Sequence, residues 1–339
     1  MNALARPAVE GDVDAIIQLL DVGFESPWCR DTWRALFEYP MVKRSPNLGF
    51  VLESHGEIVG FLGAIYSQRI VSGQVQRFCN MSSWYTRPGF RESSLSLLTA
   101  MLAQPGYTIT NFTPNRDVVQ VIRACGFRRL ESHKVLWGPW LYRALVEAKS
   151  RPWLRKGVVY KASRVLESAV ETGLLKYLEI SRRPAPPLVE QQGVVLLAGA
   201  DLVRPMLSTA DRELLDDHPR CGHFLLKAGR SYSYIATVRR KVRFRGRSLV
   251  EFVVSDILHL SSCAPALQHW QSLGKFIARH DRSHAIMADL RLGVRQCPYG
   301  VIIPDYSYFT STTGVDASQI DGLYSELALL DQVFYVRSS

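Results

Sequence analysis

The stretch from Trp84 to Leu98, WYTRPGFRESSLSLL, carries residue types that suit a phosphate-bearing ligand. It predicts the end of a strand, a tight Pro-Gly corner, an arginine, a run of small residues and the start of an apolar helix. Unpaired backbone N–H groups point outward at a helix N-terminus, and the helix dipole favours negative charge there. The stretch therefore predicts an anion site, with a helix capped by Ser93 or Ser94 as the alternative.

A second strand and helix follow this stretch. The segment YTITNF, from Tyr107 to Phe112, alternates and is rich in β-branched and aromatic residues, which predicts a strand. Apolar residues at helical spacing then continue to Gly126, a residue suited to a helix C-cap. Strand, anion loop, helix, strand and helix in this order indicate an α/β crossover layout.

This part of the chain resembles the GNAT superfamily, the acyl-CoA-dependent N-acyltransferases. In that family a proline-containing corner leads into an Arg/Gln-x-x-Gly-x-Gly/Ala loop that holds the CoA pyrophosphate. Arg91 to Ser96 falls on that loop. Asn115 matches an asparagine at the start of the family's next helix, and Gly126-Phe127 matches the end of that helix. The resemblance covers residues 3 to 136, about the length of one such domain.

The resemblance implies that acetyl-CoA or another acyl-CoA is the cofactor. The implied cofactor-binding residues belong to the loop, the strand end beside the pantetheine arm and the next helix start: Trp84, Thr86, Arg91, Glu92, Ser93, Ser94, Leu95, Ser96 and Asn115. Two features depart from the family pattern. Serines at 94 and 96 replace both loop glycines, and Ile122 stands where many members carry a tyrosine that protonates the leaving thiolate.

Three residues are candidate catalytic residues on the acceptor side. Asn80 lies on the strand that feeds the loop and could face the acceptor, with an ordinary strand-surface residue as the alternative. His218 and His223 fall in the segment DDHPRCGH, where either could act as a general base or have a structural role. The Asp, His and Cys residues of that segment match no zinc-site spacing, so we predict no metal site.

The second half of the chain repeats the order of elements in the first half. Strands are predicted at 194–197, 232–238, 249–254, 284–289 and 299–303, and helices from 208 or 209 and over 265–280. The Arg-x-x-Gly-x-Gly pattern does not recur there. We therefore predict an α/β fold of two tandem GNAT-like domains, residues 1–136 and a degenerate copy at 188–339. Each has a mixed central sheet flanked by helices.

A basic and aromatic segment, residues 137–187, separates the two predicted domains. Between Arg151 and Pro184 it has eight Lys and Arg against three Glu. The net charge of this segment is half of the chain's net charge of +10. Bases and aromatic residues at helical spacing predict peripheral contact with an anionic membrane through 137–180, and a solvated connecting helix is the alternative. The basic cluster RRKVRFRGR at 239–247 predicts a phosphate or nucleic-acid grip, or a solvated hairpin.

Composition sets wider limits. A chain of 339 residues with 47% hydrophobic and 21% charged residues is expected to form a packed protein of two domains. Its six scattered cysteines contain no CxxC pair and are predicted to be reduced. The N-terminus lacks the apolar core of a signal peptide, and no run of roughly 18 apolar residues occurs. We therefore expect a cytoplasmic location, peripheral at the inner membrane face if the basic segment binds lipid.

The sequence leaves three functions open. The first is transfer of an acyl group, with acetyl expected, from acyl-CoA to an amine or hydroxyl of a small-molecule or lipid-linked acceptor, such as a polysaccharide precursor. The second is a non-catalytic protein that keeps the GNAT fold and binds a ligand or partner protein, which the departures at Ser94 and Ile122 favour. The third is an aminoacyl-tRNA-dependent transferase, whose basic linker and hairpin would hold tRNA.

Overall fold

The chain divides into two compact units, one of residues 1–131 with the residues from Tyr306 onward, and one of residues 132–305. In each unit a mixed β-sheet packs against helices. The computed structural model describes residues 3–24, 30–38, 45–71, 74–112, 114–138, 186–191, 193–245, 249–294 and 301–310.

The sheet of the first unit is built mainly from antiparallel strands. Its described strands are β1 (Leu4–Pro7), β2 (Gly49–Ser54), β3 (Glu57–Val71), β4 (Gln74–Thr86), β5 (Thr108–Asn111) and the end of β13 (Val301–Thr310). They lie in the order β1-β2-β3-β4-β5-β13. The pairing of β4 with β5 is parallel, and the other pairings are antiparallel.

Helices cover both faces of this sheet. They are α1 (Val13–Gly23), α2 (Arg30–Phe37), α3 (Ser94–Leu102) and α4 (Arg116–Ala124). Leu97 of α3 and Ile122 of α4 share one buried core with alternate strand residues such as Cys79 and Met81. Neighbouring strand residues point to the opposite face, where Phe61 packs against Phe37 of α2.

The second unit repeats this arrangement. Its described strands are β6 (Arg128–Trp137), β7 (Leu188–Gln191), β8 (Val194–Ala198), β9 (Gly222–Ala228), β10 (Ser231–Arg245), β11 (Leu249–Leu260) and β12 (Ala285–Asp289). Their order is β6-β12-β11-β10-β9-β8-β7, with β11 and β12 parallel. The described helices are α5 (Ala200–Val203), α6 (Thr209–Asp217), α7 (Cys263–Gln268) and α8 (Trp270–His280).

Each sheet is completed by a strand from the other half of the sequence. Strand β13 pairs antiparallel with β5, with Tyr308 opposite Asn111. Strand β6 pairs antiparallel with β12, with Trp137 opposite Ile286. Trp137 is 3% exposed in the core of the second unit. Its ring packs so closely on α8 that a Cβ added at Gly274 would lie 2.5 Å from it.

The predicted domain limits followed the order of the sequence and did not include this exchange of strands. They placed β6 with residues 1–136 and β13 with residues 188–339, whereas the contacts group most of β6 with the second unit and the end of β13 with the first. Residues 139–185, most of the predicted linker, lie outside the described residues. The limits of the linker therefore stay a prediction.

Two further sequence expectations concern membranes and the basic hairpin. None of the helices within the described ranges is long and apolar enough to span a membrane. Strands β10 and β11 form the expected hairpin, with Arg239 opposite Ser255 and Arg243 opposite Glu251. Binding of phosphate or nucleic acid by this hairpin stays a prediction.

Candidate functional site

The parallel strands β4 and β5 pair over a short length and then separate. Their last paired positions are Asn80 and Thr110. Strand β5 ends one residue later, at Asn111, whereas β4 continues to Thr86. Among the described strands, none pairs with this edge of β4 from Met81 to Thr86. An open strand edge offers N–H and C=O groups to an extended chain that contains amides.

A β-bulge lies in the same part of β4. Gly63 of β3 pairs with Ser82 and Phe61 pairs with Tyr85, so that two residues of β4 face one residue of β3. The first of these two, Ser83, has a φ of 51°, in the left-handed region that a serine adopts only at a cost. A bulge interrupts the ladder of hydrogen bonds and changes the direction of the following side chains. The bulge therefore adds unpaired backbone groups beside the open edge.

The point of separation is occupied by two buried polar side chains. Asn80 and Thr110 are both 0% exposed. The Thr110 hydroxyl donates a hydrogen bond of 3.0 Å to Asn80 Oδ1, and Asn80 Nδ2 donates to the Met81 carbonyl at 3.4 Å. Asn80 is thus not a surface residue. It lies where β4 and β5 part, and its role toward an acceptor stays a prediction.

The predicted anion loop is helical throughout. A 3-10 helix spans Pro88–Ser93, and α3 follows it directly at Ser94, whose N–H donates to the Arg91 carbonyl. Proline is well suited to the first helical position, because its missing N–H has no partner there anyway. The helical stretch therefore begins at Pro88, and the side chain of Ser93 makes no capping hydrogen bond.

The side chains of both loop serines form hydrogen bonds. The Ser94 hydroxyl oxygen accepts hydrogen bonds from Trp84 Nε1 at 3.0 Å and from the Thr86 hydroxyl at 3.1 Å. The Ser96 hydroxyl donates to the Ser93 carbonyl at 2.6 Å. Ser94 therefore connects the first turn of α3 to the end of β4, a contact that a glycine could not make.

Of the other predicted cofactor-binding residues, three have exposed side chains and one caps a helix. The side chains of Arg91, Glu92 and Leu95 are exposed. Asn115 is the N-cap of α4, where its Oδ1 accepts a hydrogen bond from the Val118 N–H at 2.9 Å. This capping bond is a sufficient structural reason for an asparagine at that position. Contact of these residues with a cofactor stays a prediction.

No protein-family model matches the amino-acid sequence, and no curated protein matches it either. The structure of a conserved Enterococcus faecalis protein of unknown function, described as a probable N-acyltransferase, matches with a TM-score of 0.50 at 9% identity. The match covers 91% of this chain and 72% of that protein. Each of the two units has a GNAT-like fold. The predicted fold class, two tandem GNAT-like domains, is therefore confirmed.

Two other solved structures are similar over most of the chain. A GCN5-related N-acetyltransferase from Anabaena variabilis has a TM-score of 0.47 and 12% identity, covering 91% of this chain and 72% of its own. The N-myristoyltransferase of Saccharomyces cerevisiae, solved with bound myristoyl-CoA, has a TM-score of 0.45 and 8% identity. The match covers 91% of this chain and 82% of the N-myristoyltransferase chain.

The histidine pair lies in the second GNAT-like unit and is buried. The Nε2 of His223 is 3.0 Å from the His218 carbonyl, which can only accept, so Nε2 carries the proton. Burial lowers the pKa of His223 to about 4, so the ring is neutral at pH 7. Its Nδ1 then accepts from the Tyr234 hydroxyl at 2.8 Å. Both ring nitrogens of His223 are thus engaged, and a role as general base stays a prediction.

The second GNAT-like unit also contains a buried group of charges that the sequence analysis missed. One carboxylate oxygen of Asp256 lies 3.0 Å from Lys134 Nζ and 2.9 Å from Arg240 Nη2. Lys134 lies directly opposite Asp289 on the neighbouring strand. Single charged residues within apolar strand segments, as in HKVLW and VVSDIL, were the signal that could have indicated this group.

The described cysteines and histidines form no metal centre. Cys79, Cys125, Cys221 and Cys263 are free thiols. Within the described ranges, no three His, Cys, Asp or Glu side chains are grouped so that they could hold a metal ion.

Proposed function

We propose that the protein transfers an acyl group from an acyl-CoA to an amine or hydroxyl acceptor, at the gap between β4 and β5 of the first unit. The observation that carries this proposal is the open edge of β4 from Met81 to Thr86, together with the bulge at Ser83. The pantetheine arm of CoA is an extended chain with amide groups, which suits pairing with such an edge. The Enterococcus protein of similar fold, described as a probable N-acyltransferase, supports the same class of reaction.

The chemistry required is direct attack on a thioester. The acceptor nitrogen or oxygen bonds to the thioester carbon and gives its proton to a base, while the carbon–sulfur bond breaks and CoA leaves as the thiolate. Backbone N–H groups of the bulge at Ser83 and Trp84 are the proposed donors to the developing oxyanion. Ile122 has no proton to give, so the thiolate leaves unprotonated or takes its proton from another position.

Arg91 is the proposed ligand of the CoA pyrophosphate, because its guanidinium is exposed just before α3 and a guanidinium matches the geometry of phosphate oxygens. The test is calorimetric titration of the purified protein with acetyl-CoA and with CoA. The Arg91→Ala variant should bind at least tenfold more weakly than wild type, or about 1.4 kcal/mol.

Arg87→Ala is the matched control for this titration. Arg87 is exposed in the same region, but its guanidinium pairs with Glu57 at 3.0 Å. We expect this control to retain wild-type affinity. If wild type binds neither acetyl-CoA nor CoA, the proposed function is refuted.

A non-catalytic, ligand-binding protein is the second candidate. It is favoured by the Ser94 side chain, which bridges β4 and α3 where the family has glycine, and by the apolar Ile122. Binding of CoA without release of thiol from acetyl-CoA in the presence of any acceptor would support this candidate. Contact with a membrane through 137–180 and binding of tRNA both rest mainly on residues outside the described ranges and stay predictions.

A further inference from the structure

An aromatic cluster lies beside the gap, on the sheet face opposite α3 and α4. The Tyr85 ring of β4 is 5.9 Å from the Phe24 ring at the end of α1, and Phe24 is 5.5 Å from Trp33 of α2. Trp33 is buried, whereas Phe24 is 43% exposed and Tyr85 is partly exposed. The cluster therefore has a buried support and an accessible apolar surface.

Uncharged polar groups continue the same face along β4. Asn80 and Ser82 alternate onto this face, and Ser82 Oγ lies 3.3 Å from Ser83 Oγ. Both serines are partly exposed. Ser67 of β3, opposite Phe78, also lies on this face, and its buried hydroxyl has no hydrogen-bond partner among the described residues. The accessible hydroxyls of Ser82 and Ser83 thus adjoin the aromatic surface, whereas Asn80 and Ser67 are buried farther along the two strands.

The charge of this strip distinguishes between classes of acceptor. None of its accessible members, Phe24, Ser82, Ser83 and Tyr85, is an acidic or basic residue. A polyamine or lysine acceptor would be bound by carboxylates, and the chain as a whole carries a net charge of +10. A pyranose ring instead packs its apolar C–H face on an aromatic ring and pairs its hydroxyls with side-chain hydroxyls such as those of serine.

We propose that this strip binds a carbohydrate acceptor, a hexose or hexosamine unit, which rests on acyl transfer at the adjacent gap. From Ser82 to Tyr85 the strand spans about 10 Å on a rise of ~3.3 Å per residue, enough for one pyranose ring. The acceptor ring lies on Phe24 and Tyr85, and its hydroxyls or its amine face the serines of the bulge.

The first test measures sugar binding without any donor. Saturation-transfer NMR is recorded with glucose and with glucosamine, on wild type, Phe24→Ala and Val22→Ala. Val22 is the matched control, because it is an apolar residue two positions earlier on the same helix and 74% exposed. Transfer to sugar should be seen with wild type and the control and be at least halved in Phe24→Ala. If wild type shows no transfer to either sugar, the inference is overturned.

A second variant guards against misfolding of Phe24→Ala. Ser82→Ala removes one hydroxyl and leaves the aromatic cluster in place. It should lower the affinity for glucosamine several-fold while its far-UV circular dichroism spectrum stays that of wild type. Equal binding of glucosamine by wild type and by both variants contradicts a sugar site on this strip.

The last test separates this inference from the proposed function. Thiol release from acetyl-CoA is compared with glucosamine and with spermidine as acceptors. Faster release with glucosamine supports the inference, and release with spermidine alone overturns it while acyl transfer stands. If acetyl-CoA does not bind but the sugar binds through Phe24, acyl transfer fails and the carbohydrate site stands.

Discussion

The indole Nε1 of Trp84 donates a hydrogen bond of 3.0 Å to the hydroxyl oxygen of Ser94, which joins the end of β4 to the first turn of α3. Thr86 donates to the same oxygen. In the family that this chain resembles, the position of Ser94 is a glycine, whose backbone a phosphate can approach closely. Here a side-chain bridge occupies that position. The effect of the serine on stability and its effect on cofactor binding can be measured separately.

Replacing Ser94 by glycine should lower stability and strengthen cofactor binding. The free energy of unfolding should fall by about 1–3 kcal/mol, because two hydrogen bonds are lost and glycine is less favourable in a helix. Affinity for acetyl-CoA should rise, because the α3 backbone becomes accessible. Urea denaturation and calorimetry measure the two effects. Ser94→Ala loses the same bonds without the flexibility of glycine, and weaker acetyl-CoA binding by Ser94→Gly would contradict the expectation.

Replacing Thr110 by valine tests the polar pair where β4 and β5 separate. Valine keeps the shape of threonine but removes the donor to Asn80 Oδ1, so unfolding should become easier by about 1–3 kcal/mol. Thr99→Val is the control, since the exposed Thr99 hydroxyl bonds only to its own helix at the Leu95 carbonyl, and its effect should stay within about 0.5 kcal/mol. Similar urea midpoints for the two variants would show that the buried pair contributes little.

Removing Lys134 should destabilise the second unit. Lys134→Met leaves the buried Asp256 carboxylate paired with Arg240 alone, and loss of a buried hydrogen bond between charged groups costs about 1.5–3 kcal/mol. The exposed pair of Arg204 and Asp216, 2.8 Å apart, is the comparison, and Arg204→Met should cost at most about 1 kcal/mol. Chemical denaturation of both variants measures the difference. Equal losses would mean that burial adds nothing to the Lys134 interaction.

Stability should fall in mild acid because of His223. Its pKa is about 4 in the folded protein against an ordinary value of 6.5. Between those two values the unfolded chain binds more protons than the folded one, so stability decreases as the pH falls from 6.5 to 4. Above pH 6.5 this group has no effect on the pH dependence of stability. The loss attributable to His223 should reach at most about 3 kcal/mol.

The measurement is urea denaturation at several pH values for wild type and His223→Gln. The variant should show a flatter dependence of unfolding free energy on pH across this window. His133→Gln, at an exposed histidine of β6, is the control and should follow wild type. Parallel curves for wild type and His223→Gln would refute the assignment of the acid sensitivity to His223.

Local patterns predict much of this fold because they depend on neighbouring residues. The strand predicted to carry Asn80 and to end in the stretch that begins at Trp84 is observed at Gln74–Thr86, and YTITNF contains the observed strand Thr108–Asn111. Gly126 has a φ of 86°, as expected just beyond the end of a helix. The anion loop was predicted less well, because proline can begin a helix as readily as it forms a turn.

Other features depend on residues far apart in the chain and could not be read locally. Lys134 and Asp256 are separated by 122 positions, and each looks like an isolated charge in its own strand. The apolar pattern of β6 would suit pairing with β5 as well as with β12. The bridge from Trp84 to Ser94 also depends on the bulge at Ser83. Gly60 and Gly63 on the facing strand β3 predict a bulge or close packing at this place, but they do not show which residue of β4 is the extra one.

The exchange of β6 and β13 has a consequence for the newly made chain. A ribosome synthesises the second unit's last described strand, β12, before it reaches β13 at Val301–Thr310. Until β13 has left the ribosome, β5 remains an unpaired edge on the first unit, and such edges promote aggregation. The first unit therefore starts to be made first but is completed last. We expect the protein to need a chaperone most while the first unit still lacks β13.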